Sequence, residues 1–138
     1  MSPIPKDAAR KQRGGTGTVV LDVLTLYVKD SRVCHTGLGR YSWYKVKGEP
    51  GHKTYFISAY APCGNDPMGK EAAYKQQARC IKQHGLWTDL RTMFCNDLSS
   101  LVWMWRKNGD WIVLIMDTNE HVLDGELCQR LASPEYGL

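Results

Sequence analysis

Asp117 and Asn119 stand two residues apart at the end of an apolar run, Trp111-Ile112-Val113-Leu114-Ile115-Met116. Residues at i and i+2 of an extended chain point the same way, so a carboxylate and an amide would leave a core strand side by side. A carboxylate so placed can take a proton from water, and the amide can hold a phosphate or orient that water. Strand ends at the edge of an α/β sheet are where such chemistry is placed. Asp and Asn also close strands as Asx-turns. The spacing alone leaves both readings open.

The elements that must hold this pair follow from patterning. Gly14-Gly15-Thr16-Gly17 opens into Thr18-Val19-Val20-Leu21-Asp22-Val23, a β-branched run that reads as a strand. The glycines lack the lysine of a phosphate loop and no helical pattern follows at once, so they read as an entry to that strand. Thr25 to Val28 reads as a second short strand. Gly37-Leu38-Gly39 marks a turn, and Arg40 to Lys47 alternates aromatic and basic residues. Gly48-Glu49-Pro50-Gly51 links it to Thr54–Tyr60, which predicts a hairpin. Helices are expected over Lys70–His84, ending at Gly85, and over Trp87–Lys107, with Thr88 as N-cap and Asn108-Gly109 as the stop. Leu90, Phe94, Leu98, Leu101 and Trp105 give the second helix an apolar face. Trp103, Trp105 and Trp111 are expected in the core. Several strands, two helices, one core strand and a sparse tail fit a mixed α/β sandwich better than a doubly wound sheet.

Bulk properties narrow the class. With 138 residues there is room for one domain with a real core, and 43% apolar and 23% charged residues are ordinary for a globular chain. The apolar runs are too short for a membrane span, and no signal-peptide core follows Met1. Five scattered cysteines without a C-x-x-C favour free thiols in a reducing, intracellular compartment. The net charge of +4 is split: six acids and one base from Asp110 onward leave −5 there and +9 on residues 1–109. A basic body suits a polyanion such as nucleic acid.

Three segments together resemble one family. Met116-Asp117-Thr118-Asn119-Glu120 resembles the Gly-Asp-Phe-Asn motif of the endonuclease/exonuclease/phosphatase superfamily, the DNase I-like fold. Ile57-Ser58-Ala59-Tyr60-Ala61-Pro62 is similar to its strand ending in Tyr-x-Pro, and Gly14–Val20 to its glycine-led strand. Gly37-Leu38-Gly39-Arg40-Tyr41-Ser42-Trp43 resembles the nuclease region of retroelement-type members. The resemblance runs from Gly14 to about Glu120. It implies a four-layer α/β sandwich, of which residues 14–138 would be part after a disordered basic lead-in at 1–13. It also implies phosphodiester hydrolysis with Mg²⁺, on DNA, in an intracellular setting that includes the nucleus. Asp117 would align or activate the attacking water, Asn119 would hold the scissile phosphate, and Tyr60 would donate a hydrogen bond to it.

The departures shape the expectation as much. The family carries a metal-binding Glu before the glycine-led strand, whereas the first glutamate here is Glu49. It also has a late Asp-His pair, whereas only His121 follows Asn119. The metal ligand therefore stays unknown, and a fragment of a retroelement-type endonuclease, inactive as it stands, is expected. The alternatives are a non-catalytic nucleic-acid-binding remnant and a phosphatase-like protein acting on a small phosphorylated molecule. For the first of these, Arg40, Lys45 and Lys47 with Tyr41, Trp43 and Tyr44 interleave bases and aromatics as strand-binding surfaces do. Gln76 and Arg79, with Lys75, Gln77 and Lys82, would give the first helix a phosphate-touching face, which also reads as a solvated one. Cys80 and His84 lie one helical turn apart but have no second ligand pair, so a buried thiol beside a surface His is expected. Glu120 and His121 read as solvated turn residues before cation ligands. The oligomeric state is not set by these patterns.

Overall fold

A computed structural model describes residues 15–61, 73–83, 85, 89–121 and 124–137. It is a mixed α/β fold built on one four-stranded sheet, ordered β1-β2-β3-β4. The strands are β1 (Val28–Val33), β2 (Tyr41–Lys47), β3 (Lys53–Tyr60) and β4 (Trp111–Asp117). The helices are α1 (Ala73–Gln83), α2 (Leu90–Lys107) and α3 (Glu126–Leu131).

The β2–β3 hairpin forms where the turn residues predict it. Gly48 N–H donates to His52 O, His52 N–H to Glu49 O, and Gly51 takes a φ of 91° that suits glycine. β3 then pairs with β4 in parallel, from Thr54 opposite Trp111 to Tyr60 opposite Asp117. Parallel neighbours need a crossover connection, and the stretch carrying α1 and α2 supplies it.

One sheet face carries the core. Tyr55, Ile57 and Ala59 of β3 and Tyr41 of β2 pack with Phe94, Leu98, Val102 and Trp105 of α2. Tyr55 stacks on Trp105 at 3.9 Å between ring centroids, and Trp43 meets the same indole edge-on at 5.2 Å. α3 adds Leu127 and Leu131.

Several expectations need correction. The segment Thr18–Val23 is not a strand. Thr16 N–H donates to Gly39 O, the Thr18 and Ser42 hydroxyls share a hydrogen bond at 3.2 Å, and a 3-10 turn over Asp22–Tyr27 follows, with Asp22 at φ 54°. That turn replaces most of the strand expected over Thr25–Val28, and the strand that does form starts at Val28. α2 is capped by Asp89, whose carboxylate accepts the N–H groups of Arg91 and Thr92. Trp105 is buried, but Trp103 is 41% and Trp111 62% exposed. The tail is not sparse, since it forms α3. The lead-in at 1–13, Thr88, and the His84 of the Cys80 pair lie outside the described residues; Cys80 is half-buried. Among the described residues no helix is long and apolar enough to cross a membrane.

Candidate functional site

β3 and β4 run in parallel and in register, so they end together and bring Tyr60 beside Asp117. The ladder continues one step further, with Ala61 N–H donating to Asp117 O at 2.9 Å. β4 alternates strictly, and Asp117 falls on its exposed phase. Asn119 then turns back. Its own N–H donates to Asp117 Oδ1 at 3.1 Å, and its side-chain Nδ2 donates to Ala61 O at 2.6 Å. This requires φ 49° at Asn119, a left-handed conformation that Asn tolerates better than most residues.

Of the two readings of the Asp-x-Asn spacing, the Asx-turn is the one these bonds describe. The Asx-turn is formed, and it clasps the ends of two strands. The same turn holds an exposed carboxylate next to the half-buried Tyr60. One N–H of the Asn119 amide is committed to Ala61, and the amide carries a second.

The surroundings are firmly braced. Tyr60 N–H donates to Arg40 O at 2.8 Å. The Arg40 guanidinium has no exposed surface and pairs with Asp97 of α2, while Nη2 also reaches Cys34 Sγ at 3.7 Å. It therefore ties the hairpin to α2 and is not presented to a nucleic-acid strand, as the sequence pattern had suggested. Glu120 is equally committed. One oxygen accepts the N–H groups of Leu127 and Cys128 at the start of α3, and the other pairs with Arg91. It is neither the solvated turn residue nor the cation ligand that its position in the sequence offered. Arg91 Nη1 reaches Thr118 O as well, so the loop after β4 is held between two helices. Burial works against the charge on Arg91, but the Glu120 carboxylate outweighs it and raises its pKa. His121 pairs with Asp124 at the surface.

The other candidate residues are scattered. Lys45 is opposite Tyr55 and ion-pairs with Asp30 at 3.9 Å. Lys47 is opposite Lys53, at the far end of β3 from Tyr60. Seven strand steps separate that end from Asp117, about 23 Å at ~3.3 Å per residue. On α1, Arg79 is exposed and Gln76 is half-buried, whereas Gln77 is buried and donates to Leu38 O at 3.3 Å. The structure brings together Tyr60, Asp117 and Asn119, and leaves Lys45 and Lys47 remote from them.

The fit to a divalent cation is poor. Among the described residues no three His, Cys, Asp or Glu side chains converge on a point where they could hold a metal. Asp117 brings one carboxylate, and its neighbour Glu120 is spent on Arg91 and α3. The thiols are no substitute: burial pushes both Cys95 and Cys128 above the ordinary cysteine pKa, with acidic neighbours adding to it.

The residues that Asp-x-Asn spacing could not reveal are Arg40, Asp97 and Arg91, which hold the site from below. Only the apolar context of Arg40, between Leu38 and Tyr41, hinted at burial. No family model, curated protein or solved structure matches the chain.

Proposed function

We propose that the chain is part of a DNase I-like, retroelement-type phosphodiesterase, with the Tyr60–Asp117–Asn119 end of the sheet as its phosphate-facing site and with no activity of its own. The observation that carries this reading is the in-register pairing of Tyr60 with Asp117, closed by the Asn119 clasp. It puts a phenol, a carboxylate and an amide together at the ends of β3 and β4, which supports the reading.

The roles follow from the groups. The Tyr60 hydroxyl and the second Asn119 N–H donate to non-bridging phosphate oxygens, which gain charge as the phosphorus becomes five-coordinate. The Asp117 carboxylate accepts a hydrogen bond from water and aligns it. A divalent cation such as Mg²⁺ supplies positive charge in the family. The described residues do not assemble a site for one, which is why the chain is proposed inactive. The four-layer sandwich belongs to this proposal too, since the described structure is a single sheet with helices.

Two measurements test the reading. With Mg²⁺ and supercoiled plasmid, the purified chain should nick no faster than Asp117→Ala. Nicking that Asp117→Ala abolishes would keep the site and refute the inactivity. Binding to a short DNA duplex should weaken for Tyr60→Phe and tighten for Asp117→Asn, which removes a like charge. Affinities indifferent to both would remove the site itself.

A further inference from the structure

The face of the sheet opposite α2 carries an unusual surface. Register places Val46, Thr54 and Trp111 in one row across β2, β3 and β4, then Tyr44, Phe56 and Val113, then Ser42, Ser58 and Ile115. None of these nine residues is charged. The segment 15–27 lies over the β1–β2 half of this face, with Thr18 bonded to Ser42 and a groove of about 730 Å³ between them. Among the described residues no segment covers the β3–β4 half, and Trp111, Val113 and Ile115 stand exposed along β4.

The segment that covers half the face is itself apolar on its outside. Val19, Leu21 and Leu26 on it, Val33 on β1, and Trp111 and Ile115 on β4 are each 62–80% exposed. At about 200 Å² per large side chain, these six alone leave on the order of 800 Å² of surface in water. That sum equals what each partner gives to a standard interface.

We propose that this face, with the outer side of segment 15–27, is where a second copy of the chain docks about a two-fold axis. Three features select that occupant. The rows are uncharged, so they offer no pairing to a polyanion or to an acidic or basic peptide, and interface cores are depleted of charge in the same way. The area matches one partner's share of a stable dimer. The face is also split into a covered half and a bare half. A two-fold axis between them sets each copy's segment against the other's β3–β4 half, which is the self-complementarity an isologous contact needs. In the four-layer reading this is the face a second sheet would cover, and in the chain by itself a second copy takes that place. Asp117 and Asn119 lie beyond the uncharged rows, so loss of the dimer and loss of the phosphate-facing site are read separately.

Analytical ultracentrifugation of the chain at about 1–100 μM tests it. The expected species has twice the chain mass of 15.7 kDa. Ile115→Lys on the bare half and Leu21→Lys on the segment should each raise the dimer dissociation constant about tenfold or more, since each buries an unpaired charge. Trp103→Lys, exposed on a helix away from this face, should leave it unchanged. Leu21 is in no strand and no core cluster, so its variant decides the matter if Ile115→Lys fails to fold by circular dichroism. A folded monomer at 100 μM, a higher oligomer, or a dimer indifferent to Leu21→Lys would each overturn the proposal.

Discussion

Asn119 shows at the scale of one residue how a proposed site and a structural clasp share atoms. Its amide joins the ends of β3 and β4, and its backbone pays for this with a left-handed φ. Asn119→Gly keeps that φ at no steric cost and removes only the side chain. We expect it to cost about 1 kcal/mol, the worth of a typical hydrogen bond, in urea unfolding. Asn119→Ala should cost more, because alanine also resists the left-handed conformation. Asp89 offers a second test. The Thr92 N–H, above all, holds its carboxyl below the ordinary 3.8, against a smaller opposing effect of burial. A carboxyl with a depressed folded pKa stabilises the fold above its unfolded value and loses that contribution as pH falls through the folded one. Asp89→Ala should therefore cost about 1 kcal/mol at neutral pH as a lost N-cap. Between pH 5 and pH 3 the wild type should lose more stability than Asp89→Asn, which keeps an acceptor but does not titrate there. Equal acid slopes for the two proteins would show that the cap charge is irrelevant.

At the scale of elements, the site rests on a contact between the hairpin and α2. Arg40 is fully buried, its Nε and Nη1 find no partner among the described residues, and Asp97 is its one carboxylate. Removing one partner of such a pair strands a buried charge. Asp97→Ala should cost about 3–5 kcal/mol. The double variant with Arg40→Met should recover part of that loss, since no charge is then left behind. A double variant less stable than Asp97→Ala would refute this account. The same contact explains what sequence could and could not reveal. The hairpin, β4 and the long helix were legible because each carries its own signal: a Gly-Glu-Pro-Gly turn, an apolar run, and a three-to-four periodicity. Segment 15–27 was misread because its β-branched run looks like a strand, while it is held by Thr16 N–H on Gly39 O and by a hydrogen bond between the Thr18 and Ser42 hydroxyls. α3 was missed because it spans only Glu126–Leu131 and draws its cap from a distant side chain, Glu120. Arg40 was misread because its partner Asp97 is 57 residues away. Local pattern cannot report such pairing. The Tyr60–Asp117–Asn119 end was legible as far as Asp117 and Asn119, which share a strand end. Tyr60 came from resemblance, and only parallel pairing gives it its place.

At the scale of the whole molecule, the two faces of the sheet divide the labour. One carries three uncharged rows and is open along β4, while the other takes nearly all the large buried side chains. α2 is central to that second face, because Trp105 meets Tyr55 face to face and Trp43 edge-on, while Leu98 and Val102 beside it are wholly buried. The second buried cluster among the described residues, Leu38, Ile81 and Leu90, is much smaller than the one around Trp105. Removing a buried aromatic side chain costs about 3–5 kcal/mol when the site cannot collapse. Flanking rings fixed by strand register leave little room for collapse here. A domain of this kind is stable by only about 5–15 kcal/mol, so Trp105→Ala should take away much of the whole. We expect a denaturant midpoint shifted far towards zero and a loss of near-ultraviolet circular dichroism under native conditions. Trp103→Ala, two residues away but 41% exposed, should leave both almost unchanged. If the two variants behave alike, α2 is not the element on which the sheet, and with it the Tyr60–Asp117 edge, depends.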